Sequence, residues 1–352
     1  MARTQNTRPR TEAPVAADGA AGSATSYDVG LRAGVSQSAA SRCFKPGASV
    51  SAKMRKRVMT AARELGYMPN AIARSLITRR TNLIAVMLSN LTNLYYPEVL
   101  SELAAHASAR GVRILLFALP HESDIDLVME QVLQYQVDGM VAAVRLTSEQ
   151  LETFARRRTP VVFFNRYLQT TPVNSVCCDQ IDGARHLVER LYKAGHRSFG
   201  IIAGPEDSVV GQERLKGSLD NLSACGVRDV QVVNGNYDYE SGARGFHELV
   251  KRMRRPPAAV ICANDVMAIG CMDAARFDFS LAIPAKLSVV GFDGDGPSRW
   301  SSYQLTTIRQ PVKRMAEAAV GLLMDRIENP DLPPERRLLT GQLVEGHSAR
   351  LG

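Results

Sequence analysis

The stretch Tyr27–Arg42 reads Tyr-Asp-Val-Gly-Leu-Arg-Ala-Gly-Val-Ser-Gln-Ser-Ala-Ala-Ser-Arg, and it decides how the N-terminal part of this 352-residue chain folds. Ser26 is a suitable N-cap for a first helix that runs to Ala33. Gly34 suits the left-handed position that ends a helix, and Ser36 suits the N-cap of the next one. Two short helices joined through so tight a turn predict a helix-turn-helix unit.

The second helix, at about 36–44, carries polar side chains suited to reading DNA. Its N-terminal and outer face presents Gln37, Ser38 and Arg42. Gln can pair bidentately with adenine, Arg with guanine, and Ser with either base. The unit is therefore predicted to read base edges; a small helical bundle with no DNA role is the alternative.

Two further helical segments follow. An apolar stripe at helical spacing predicts a third helix from the Ser51 cap to Gly66, with Lys and Arg on its other faces. Pro69–Leu76 cannot continue that helix but can start another, because proline fits a first helical turn. A helix of about eight residues is marginal alone in water. We therefore expect this stub to order only against a partner.

The positive charge is concentrated in the N-terminal part. The formal net charge is +8. Residues 1–81 hold 14 Lys and Arg against 4 Asp and Glu, a net of about +10, and the remainder is close to neutral. A basic head on a neutral body indicates a polyanionic partner for the head alone.

Composition excludes several other classes. Residues 1–25 lack large apolar side chains and are predicted to be a disordered basic arm. Six cysteines show neither a C-x-x-C pair nor a nearby Cys/His cluster, so we expect packed, reduced thiols and no metal or cofactor. The first residues lack a signal-peptide core, and no apolar run approaches about 18 residues, so we expect a cytoplasmic protein without a membrane partner.

The rest of the chain alternates short apolar runs with amphipathic helices, which is typical of parallel βαβ units. Two doubly wound halves fit its length better than one sheet. Strands are predicted at 83–88, 113–118, 139–144, 161–165, 175–178, 199–203, 258–262 and 287–292, with a last strand near 338–344. Helices are predicted at 97–110, 125–135, 181–194, 214–224, 239–253 and 265–275.

Polar residues follow several of these strands, at the sheet edge where such folds bind ligands. Asn165-Arg166, Asn264-Asp265 and Asp293 stand at strand exits, and Arg214 opens a helix. Amides, carboxylates and Arg can bind paired hydroxyls, and the single Trp300 could stack on a ligand. Each residue also has a plainer interpretation: Asp265 as a helix cap, Trp300 as a cover for the core.

The runs 27–42 and 62–76 resemble the two head motifs of the LacI/GalR family of bacterial transcription repressors. Six further motifs resemble that family's effector-binding core, itself similar to periplasmic sugar-binding proteins: Gly195–Arg197, Ile202–Pro205, Arg214–Gly217, Ala263–Asp265, Val290–Asp293 and Leu305–Gln310. The resemblance implies an all-α helix-turn-helix head and an α/β periplasmic-binding-protein-like body of two doubly wound parallel-sheet subdomains.

The resemblance also implies roles for particular residues. Gln37, Ser38 and Arg42 would read the major groove, and Leu76 would wedge into a minor-groove step. The full predicted DNA-contacting set is Tyr27, Gln37, Ser38, Arg42, Asn70, Arg74 and Leu76. The predicted effector-contacting set is Asn165, Arg214, Tyr237, Asn264, Asp293 and Trp300.

The chain departs from the family pattern at a few positions. Arg32 stands where an apolar residue is usual, and Ala39-Ala40 replaces Thr-Val, which predicts thinner packing of the recognition helix. The loop 45–48 replaces an Asn-Gly type of turn. Gly294 stands where a second acid often follows Asp293, which predicts a different edge to the pocket.

These observations predict a domain order. It comprises the arm 1–25, the helix-turn-helix domain 26–68, a hinge and linker 69–81, an effector-binding domain 82–345 and a tail 346–352. Within the effector-binding domain, one subdomain takes 82–178 and 310–337, the other 179–309 and 338–345.

The predicted function is a homodimeric, ligand-responsive transcriptional regulator, in the first place a repressor, that binds a pseudo-palindromic operator and a sugar or sugar acid. An enzyme is disfavoured because no G-x-G-x-x-G, P-loop, nucleophile elbow or H-E-x-x-H occurs. A transport-associated sugar binder would leave the basic head unexplained. The residues do not distinguish inducer from co-repressor, or repressor from activator.

Overall fold

The computed structural model describes residues 24–45, 47–69, 80–89, 93–119, 124–168 and 171–352. They fall into two compact units, Met1–Arg79 and Arg80–Gly352, which we call the head and the body. The predictions for Asn70, Arg74, Leu76 and most of the arm lie outside the described residues.

The described residues of the head form three helices, α1 (Ser26–Ala33), α2 (Gln37–Cys43) and α3 (Ala52–Glu64). The predicted cap of α1 is wrong by one residue: Thr25 is the N-cap. Its hydroxyl accepts from the Asp28 backbone N–H, and the Asp28 carboxylate accepts from the Thr25 N–H at 2.8 Å. This reciprocal box satisfies two otherwise unpaired donors. The side-chain hydrogen bond from Thr25 lowers the pKa of Asp28.

Small side chains allow the head helices to approach closely. Ala40 is completely buried in a core with Val29 and Val58. A Cβ on Gly30 would lie 3.0 Å from the carbonyl oxygen of Val35, so α1 meets the turn at a glycine. The exposed Arg32, which departs from the family pattern, has its guanidinium 2.9 Å from the carboxylate of Glu64 on α3.

Two arginines of α3 tie the ends of the other helices. Arg55 donates to the carbonyl oxygens of Cys43 at 2.7 Å and Ala48 at 3.2 Å. Arg57 donates to the carbonyls of Ala33 and Gly34. Since the last carbonyls of a helix have no partner within it, these contacts fasten α1 and α2 to α3.

In the described part of the body, the strands form two six-stranded sheets. The N-terminal sheet has the order β11-β5-β4-β3-β1-β2 and the C-terminal sheet the order β12-β10-β9-β8-β6-β7. Neighbouring strands are parallel except β12, which runs antiparallel to β10. The strands are β1 (Leu83–Ser89), β2 (Arg113–Leu119), β3 (Gly139–Ala143), β4 (Val161–Phe164), β5 (Ser175–Cys178), β6 (Ser198–Ala203), β7 (Asp229–Asn234), β8 (Ala259–Cys262), β9 (Ser288–Asp293), β10 (Thr306–Arg309), β11 (Arg336–Leu339) and β12 (Gln342–Val344).

Helices pack against both sheets. They are α4 (Tyr96–Ala109), α5 (Ile125–Gln134), α6 (Ser148–Arg156), α7 (Gln180–Lys193), α8 (Val209–Ala224), α9 (Tyr239–Met253), α10 (Asp265–Asp273) and α11 (Val312–Glu328). A π-helical turn, Ala274–Asp278, follows α10, and a 3-10 turn, Pro297–Arg299, follows β9. No helix within the described residues combines the length and apolar character needed to span a membrane.

Along the described residues the chain crosses between the two sheets three times, after β5, after β10 and after β11. The single last strand predicted near 338–344 is wrong: β11 joins the N-terminal sheet and β12 the C-terminal one. Gly341 lies at this crossing, where a Cβ would come 2.6 Å from Ile308. The stretch Leu338–Val344, predicted as one strand, therefore contains a change of sheet.

Some helices and strands were not predicted from the sequence, and residues 346–352 were predicted to be a tail. The strands β7 and β10 and the helices α6 and α11 were not predicted. Ser348 is fully buried, its hydroxyl donating to the Val289 carbonyl at 2.6 Å and accepting from the Thr306 N–H at 2.8 Å. The last residues are therefore packed into the C-terminal half. All six cysteines are free, and Cys225 is the least buried.

Candidate functional site

The outer surface of α2 presents the residues predicted to read bases. Gln37, Ser38 and Arg42 are exposed, and Tyr27 on α1 is 63% exposed. The Gln37 amide nitrogen donates to the Ser26 hydroxyl at 3.1 Å, which links the start of α2 to the start of α1. The Ser36 hydroxyl caps α2 by accepting from the Ala39 N–H at 3.2 Å. The side chains predicted to contact bases are therefore accessible at the surface of the head.

A cleft of about 280 Å³ lies in the body, lined from both sheets near the carboxyl ends of their strands. Four of the six predicted effector contacts line it: Asn165, Arg214, Tyr237 and Asp293. They come from the ends of β4 and β9, from α8 and from the loop after β7. This is the place where doubly wound sheets bind ligands.

A buried ion pair lies at the cleft wall. Arg214 and Asp293 have side chains 6% and 7% exposed, and Nη2 is 2.9 Å from Oδ1. The Arg214 guanidinium also lies over the Phe292 ring, 3.9 Å from its centre, and donates to the Ala263 carbonyl. Burial raises the pKa of Asp293, while Arg214 and Gln310 counteract the rise. Burial alone would lower the pKa of Arg214, but Asp293 reverses this and raises it.

Hydrogen bonds close this pair into a ring of five side chains, which we call the cleft ring: Arg214, Gln180, Asn165, Gln310 and Asp293. Arg214 Nε donates to Gln180 Oε1 at 2.8 Å, and Gln180 Nε2 donates to Asn165 Oδ1 at 3.3 Å. Asn165 Nδ2 donates to Gln310 Oε1 at 2.6 Å, and Gln310 Nε2 donates to Asp293 Oδ1 at 2.8 Å. Gln180 follows β5 and Gln310 follows β10, and at both places the chain crosses from one sheet to the other. The ring therefore links the two halves of the body with two of the segments that connect them.

Tyr95, at the start of α4, braces the ring from the N-terminal half. Its hydroxyl accepts from Asn165 Nδ2 at 3.1 Å and donates to Gln310 Oε1 at 3.2 Å. Burial, followed by the nearby Asp293 charge, raises the pKa of Tyr95 well above its usual value. The phenol therefore stays neutral and serves as a fixed hydrogen-bonding group.

Three cleft residues adopt positive φ angles: Asn165 at 51°, Tyr237 at 58° and Asp293 at 127°. Such backbone is strained for residues with a Cβ and tends to occur at functional sites. Tyr237 fits only because its neighbours are glycines, since a Cβ on Gly204 would lie 2.5 Å from its ring. Its hydroxyl is 2.8 Å from the Ser208 hydroxyl.

Asn264 and Trp300 are not among the residues that line the cleft. Asn264 caps α10, accepting from the Met267 N–H at 3.0 Å, and its amide donates to the Tyr237 carbonyl at 3.2 Å. It supports a lining residue from behind. Trp300 follows the 3-10 turn after β9 and is 60% exposed. Direct contact of either residue with a ligand stays a prediction.

The edge beyond Asp293 is shaped by Gly294. Its φ is 72°, and a Cβ there would lie 2.7 Å from the Cα of Arg309, which explains the absence of an acid at this position. The next acid, Asp295, is buried and accepts from the Ser298 N–H at 3.2 Å. Asp265 accepts from the Gly294 and Asp295 N–H groups and from the Thr307 hydroxyl. Asp265 therefore holds this loop as well as beginning α10.

Sequence reasoning did not select Gln180, Tyr95, Arg145 or Asp207, although all four belong to the ring, its brace or the cleft wall. Gln310 was named only as the last residue of the motif Leu305–Gln310. Arg145 and Asp207 form an exposed ion pair at 2.7 Å between the two halves. None lies in a motif with a chemical signature. Within the described residues, no group of three or more His, Cys, Asp or Glu side chains could hold a metal ion.

Comparison with known proteins agrees with this arrangement. Residues 25–70 match the profile of the bacterial regulatory proteins of the lacI family, and residues 188–349 match a periplasmic binding protein-like domain. The transcriptional repressor CytR of Escherichia coli K12 is 30% identical over 335 residues, covering 93% of this chain and 96% of CytR. The repressor PurR of Proteus mirabilis is 30% identical over 340 residues, covering 94% and 98%.

Solved structures show the same fold. The lac repressor dimer bound to operator and the anti-inducer ONPF has a TM-score of 0.83 at 27% identity, covering 92% of this chain and 98% of that one. The regulator CelR in complex with cellobiose has a TM-score of 0.71 at 28% identity, covering 92% and 99%.

Head and body together define a DNA-binding transcriptional regulator. More particularly, the chain belongs to the LacI family of bacterial regulatory proteins. The relatives are regulators and not enzymes, which confirms the expectation that this chain is not an enzyme.

Proposed function

We propose that this chain is a homodimeric repressor whose operator affinity is set by a small polyhydroxylated metabolite in the body cleft. The observation that carries the proposal is the cleft ring. Arg214 is hydrogen-bonded to Gln180 and Asp293 to Gln310, and both glutamines lie where the chain crosses between the sheets. A ligand that binds Arg214 or Asp293 competes with these hydrogen bonds. Its binding energy therefore differs between two arrangements of the halves, as control by a ligand requires.

The exposed face of α2 supports the DNA-binding part of the proposal. Gln37, Ser38 and Arg42 supply the donors and acceptors that base edges need. A dimer would present two such faces, and a pseudo-palindromic site would match its two-fold symmetry. The lac repressor dimer bound to operator gives a precedent for such an assembly.

The walls of the cleft support a sugar-like ligand. Asp293 Oδ1 accepts both hydrogen bonds that the carboxylate makes, and Oδ2 has no protein partner among the described residues. Tyr237, Pro205 and Phe164 add apolar surface beside these polar groups. Apolar faces with a few convergent polar groups are typical of small-molecule sites. The CelR–cellobiose complex shows that a relative binds a sugar.

The test starts from operators selected from random DNA by the purified full-length protein. Fluorescence anisotropy then measures affinity for the selected site with and without each of a panel of sugars and sugar acids, and a reporter gene behind that site tests repression. We expect one compound to change operator affinity at least about fivefold, within the usual range of allosteric coupling. Arg214→Ala should abolish that response while keeping operator affinity.

The matched control is Arg185→Ala, which removes an exposed arginine of α7 paired with Asp182 and Glu189 outside the cleft. It should respond as the unchanged protein does. A normal response in Arg214→Ala would show that the effector binds elsewhere. A selection that recovers no sequence preference would overturn the DNA-reading role.

A further inference from the structure

The charged side chains that the structure describes in the cleft wall do not cancel. Among the described residues that line it are three arginines, Arg145, Arg166 and Arg214, and two aspartates, Asp207 and Asp293. Arg214 pairs with Asp293 at 2.9 Å, and Arg145 pairs with Asp207 at 2.7 Å. The third arginine, Arg166, has no carboxylate partner among the described residues. Since arginine does not lose its proton in proteins, the described part of the wall keeps one net positive charge.

Arg166 has most of its donors available. Its Nη1 donates to the carbonyl oxygen of Asn165 at 3.2 Å, and no carboxylate in the described part of the chain forms an ion pair with it. A guanidinium has five N–H donors in a fork that matches the oxygens of carboxylate and phosphate. Hydrogen bonds from such a cation to an oxyanion are about twice as strong as neutral ones.

The local fold aims Arg166 at the cleft. β4 ends at Phe164, and Asn165 turns the chain with its positive φ of 51°. Asn165 is itself held, because its Oδ1 accepts from the Cys178 N–H at 3.0 Å. Arg166 is half-buried, so the surrounding protein partly desolvates its charge. A charge held in this way attracts an anion more strongly than a freely solvated arginine does.

Arg145 offers a second cation at the same cleft. Its pair with Asp207 is exposed, with side chains 46% and 62% accessible, and exposed pairs contribute little stability. Arg145 Nη1 also donates to the Asp207 carbonyl oxygen at 3.2 Å, so this arginine keeps its own partners and the anion is assigned to Arg166. The Arg214–Asp293 pair is buried and exchanges partners less readily than an exposed pair.

From this charge balance we propose that the effector is a single-ring polyhydroxylated metabolite that carries one oxyanion, a carboxylate or a phosphate, bound by Arg166. The inference rests on the proposed function, since it concerns the ligand of the same cleft. The cleft volume of about 280 Å³ is at the small end of ligand sites, which start at about 300 Å³. One ring with one anionic group suits that size.

The test compares matched neutral and anionic compounds by calorimetry at constant ionic strength. The pairs are glucose with glucuronate, galactose with galacturonate, glucose with glucose 6-phosphate, and ribose with ribose 5-phosphate. We expect at least one anion to bind about tenfold or more tightly than its neutral parent, as one charge-assisted contact provides. The uronates and the phosphates separate the two sources of the oxyanion.

Variants then locate the anion. Arg166→Gln should remove the preference for the anion, and Arg166→Lys should keep part of it because the charge remains. The control is Arg252→Gln, an exposed arginine of α9 paired with Glu248. It should keep the full preference. An anion preference that survives Arg166→Gln would overturn the proposal.

The outcomes also separate this inference from the proposed function. If a neutral parent binds as tightly as its anion and changes operator affinity, the cleft is an effector site but the effector needs no charge. If none of the anions binds, the inference is likewise overturned. If Arg214→Ala leaves operator release by a bound ligand unchanged, the proposed cleft itself is wrong.

Discussion

Arg214 on α8 and Asp293 at the end of β9 form a buried ion pair of 2.9 Å, with side chains 6% and 7% exposed. Each partner is held by further polar groups, Arg214 by Gln180 and Asp293 by Gln310. Desolvation of a buried pair offsets much of its attraction, so the pair is weak evidence for stability. Removing only one partner destabilises the protein strongly, because the other charge stays buried without a partner.

Arg214→Met should therefore destabilise the protein by about 3–5 kcal/mol, since Asp293 loses its buried partner. In Arg214→Met/Asp293→Asn the buried charge is gone, and the loss should be smaller than the sum of the two single losses. Urea unfolding of the four proteins measures this coupling. Purely additive effects would mean that the two groups do not interact in solution.

The cleft ring predicts a particular effect for Gln310→Leu. This change removes one hydrogen bond each from Asn165 Nδ2, Asp293 Oδ1 and the Tyr95 hydroxyl. Asn165 and Asp293 keep a second partner, but the buried Tyr95 hydroxyl loses its acceptor, at a cost of about 1–3 kcal/mol. It should also weaken the coupling between ligand and operator, because the link from the cleft to the second crossing is cut. Anisotropy titrations with and without effector measure that coupling.

Gln212→Leu is the matched control for that experiment. Gln212 is an exposed residue of α8 whose amide donates to the Glu206 carbonyl at 3.1 Å. It should change neither stability nor coupling appreciably. Unaltered coupling in Gln310→Leu would show that the ring is structural only.

Asp295 predicts how stability depends on pH. Burial, followed by the charge of Asp293, raises the pKa of Asp295 to about 7, with Glu98 adding to the rise and Arg299 opposing it. The unfolded chain has an ordinary pKa of about 3.9. Between those values the folded state holds a proton that the unfolded state has lost. Stability should fall as pH rises through this window and level off above it.

Asp295→Asn should remove that part of the slope, which is at most about 1.4 kcal/mol per pH unit for one proton. Asn keeps an oxygen that can accept from the Ser298 N–H, so the turn is preserved. Urea midpoints of both proteins at pH 5, 6 and 7.5 measure the difference. Parallel profiles would show that Asp295 titrates normally. Burial, followed by the charge of Asp295, also raises the pKa of Asp265, so Asp295→Asn removes part of the Asp265 contribution to the slope as well.

Two neighbouring cations of α3 should behave differently. Arg55→Met removes two contacts to the carbonyls of Cys43 and Ala48, and each charged hydrogen bond contributes about 1.5–3 kcal/mol. It should lower the melting temperature of the head. Lys56→Met removes an exposed charge, so it should leave the melting temperature of the head unchanged. It should weaken binding to all DNA sequences equally. Equal melting temperatures would contradict the capping role of Arg55.

Arg42 provides the test of base reading. Arg42→Ala should cost about 1–3 kcal/mol on the selected operator and relax the preference at one base pair. A competition assay against operators mutated at each position identifies that base pair. A uniform loss across all sequences would instead assign Arg42 to a phosphate.

Much of this protein could be predicted from local patterns alone. The caps Ser36 and Ser51, the turn at Gly34 and the apolar stripe of α3 are signals within a few residues of one another, and the head follows them closely. Most strands of the body are recognisable for the same reason. The edge strand β7 was missed although its exposed and less exposed residues alternate regularly. The helix α11 was missed although its apolar spacing is regular.

The sequence by itself determined the helix-turn-helix head, the alternating α/β body and the polar strand ends, because caps, turns and periodicity act over short distances. Only the tertiary structure decided which polar groups meet. Asn165 and Gln310 are hydrogen-bonded across 145 residues of chain, and Arg214 and Asp293 across 79. Contacts of that kind depend on strand order and on where the chain crosses between sheets. That long-range geometry places the Asn264 amide against the Tyr237 carbonyl oxygen and brings Gln180 and Gln310 into the cleft ring.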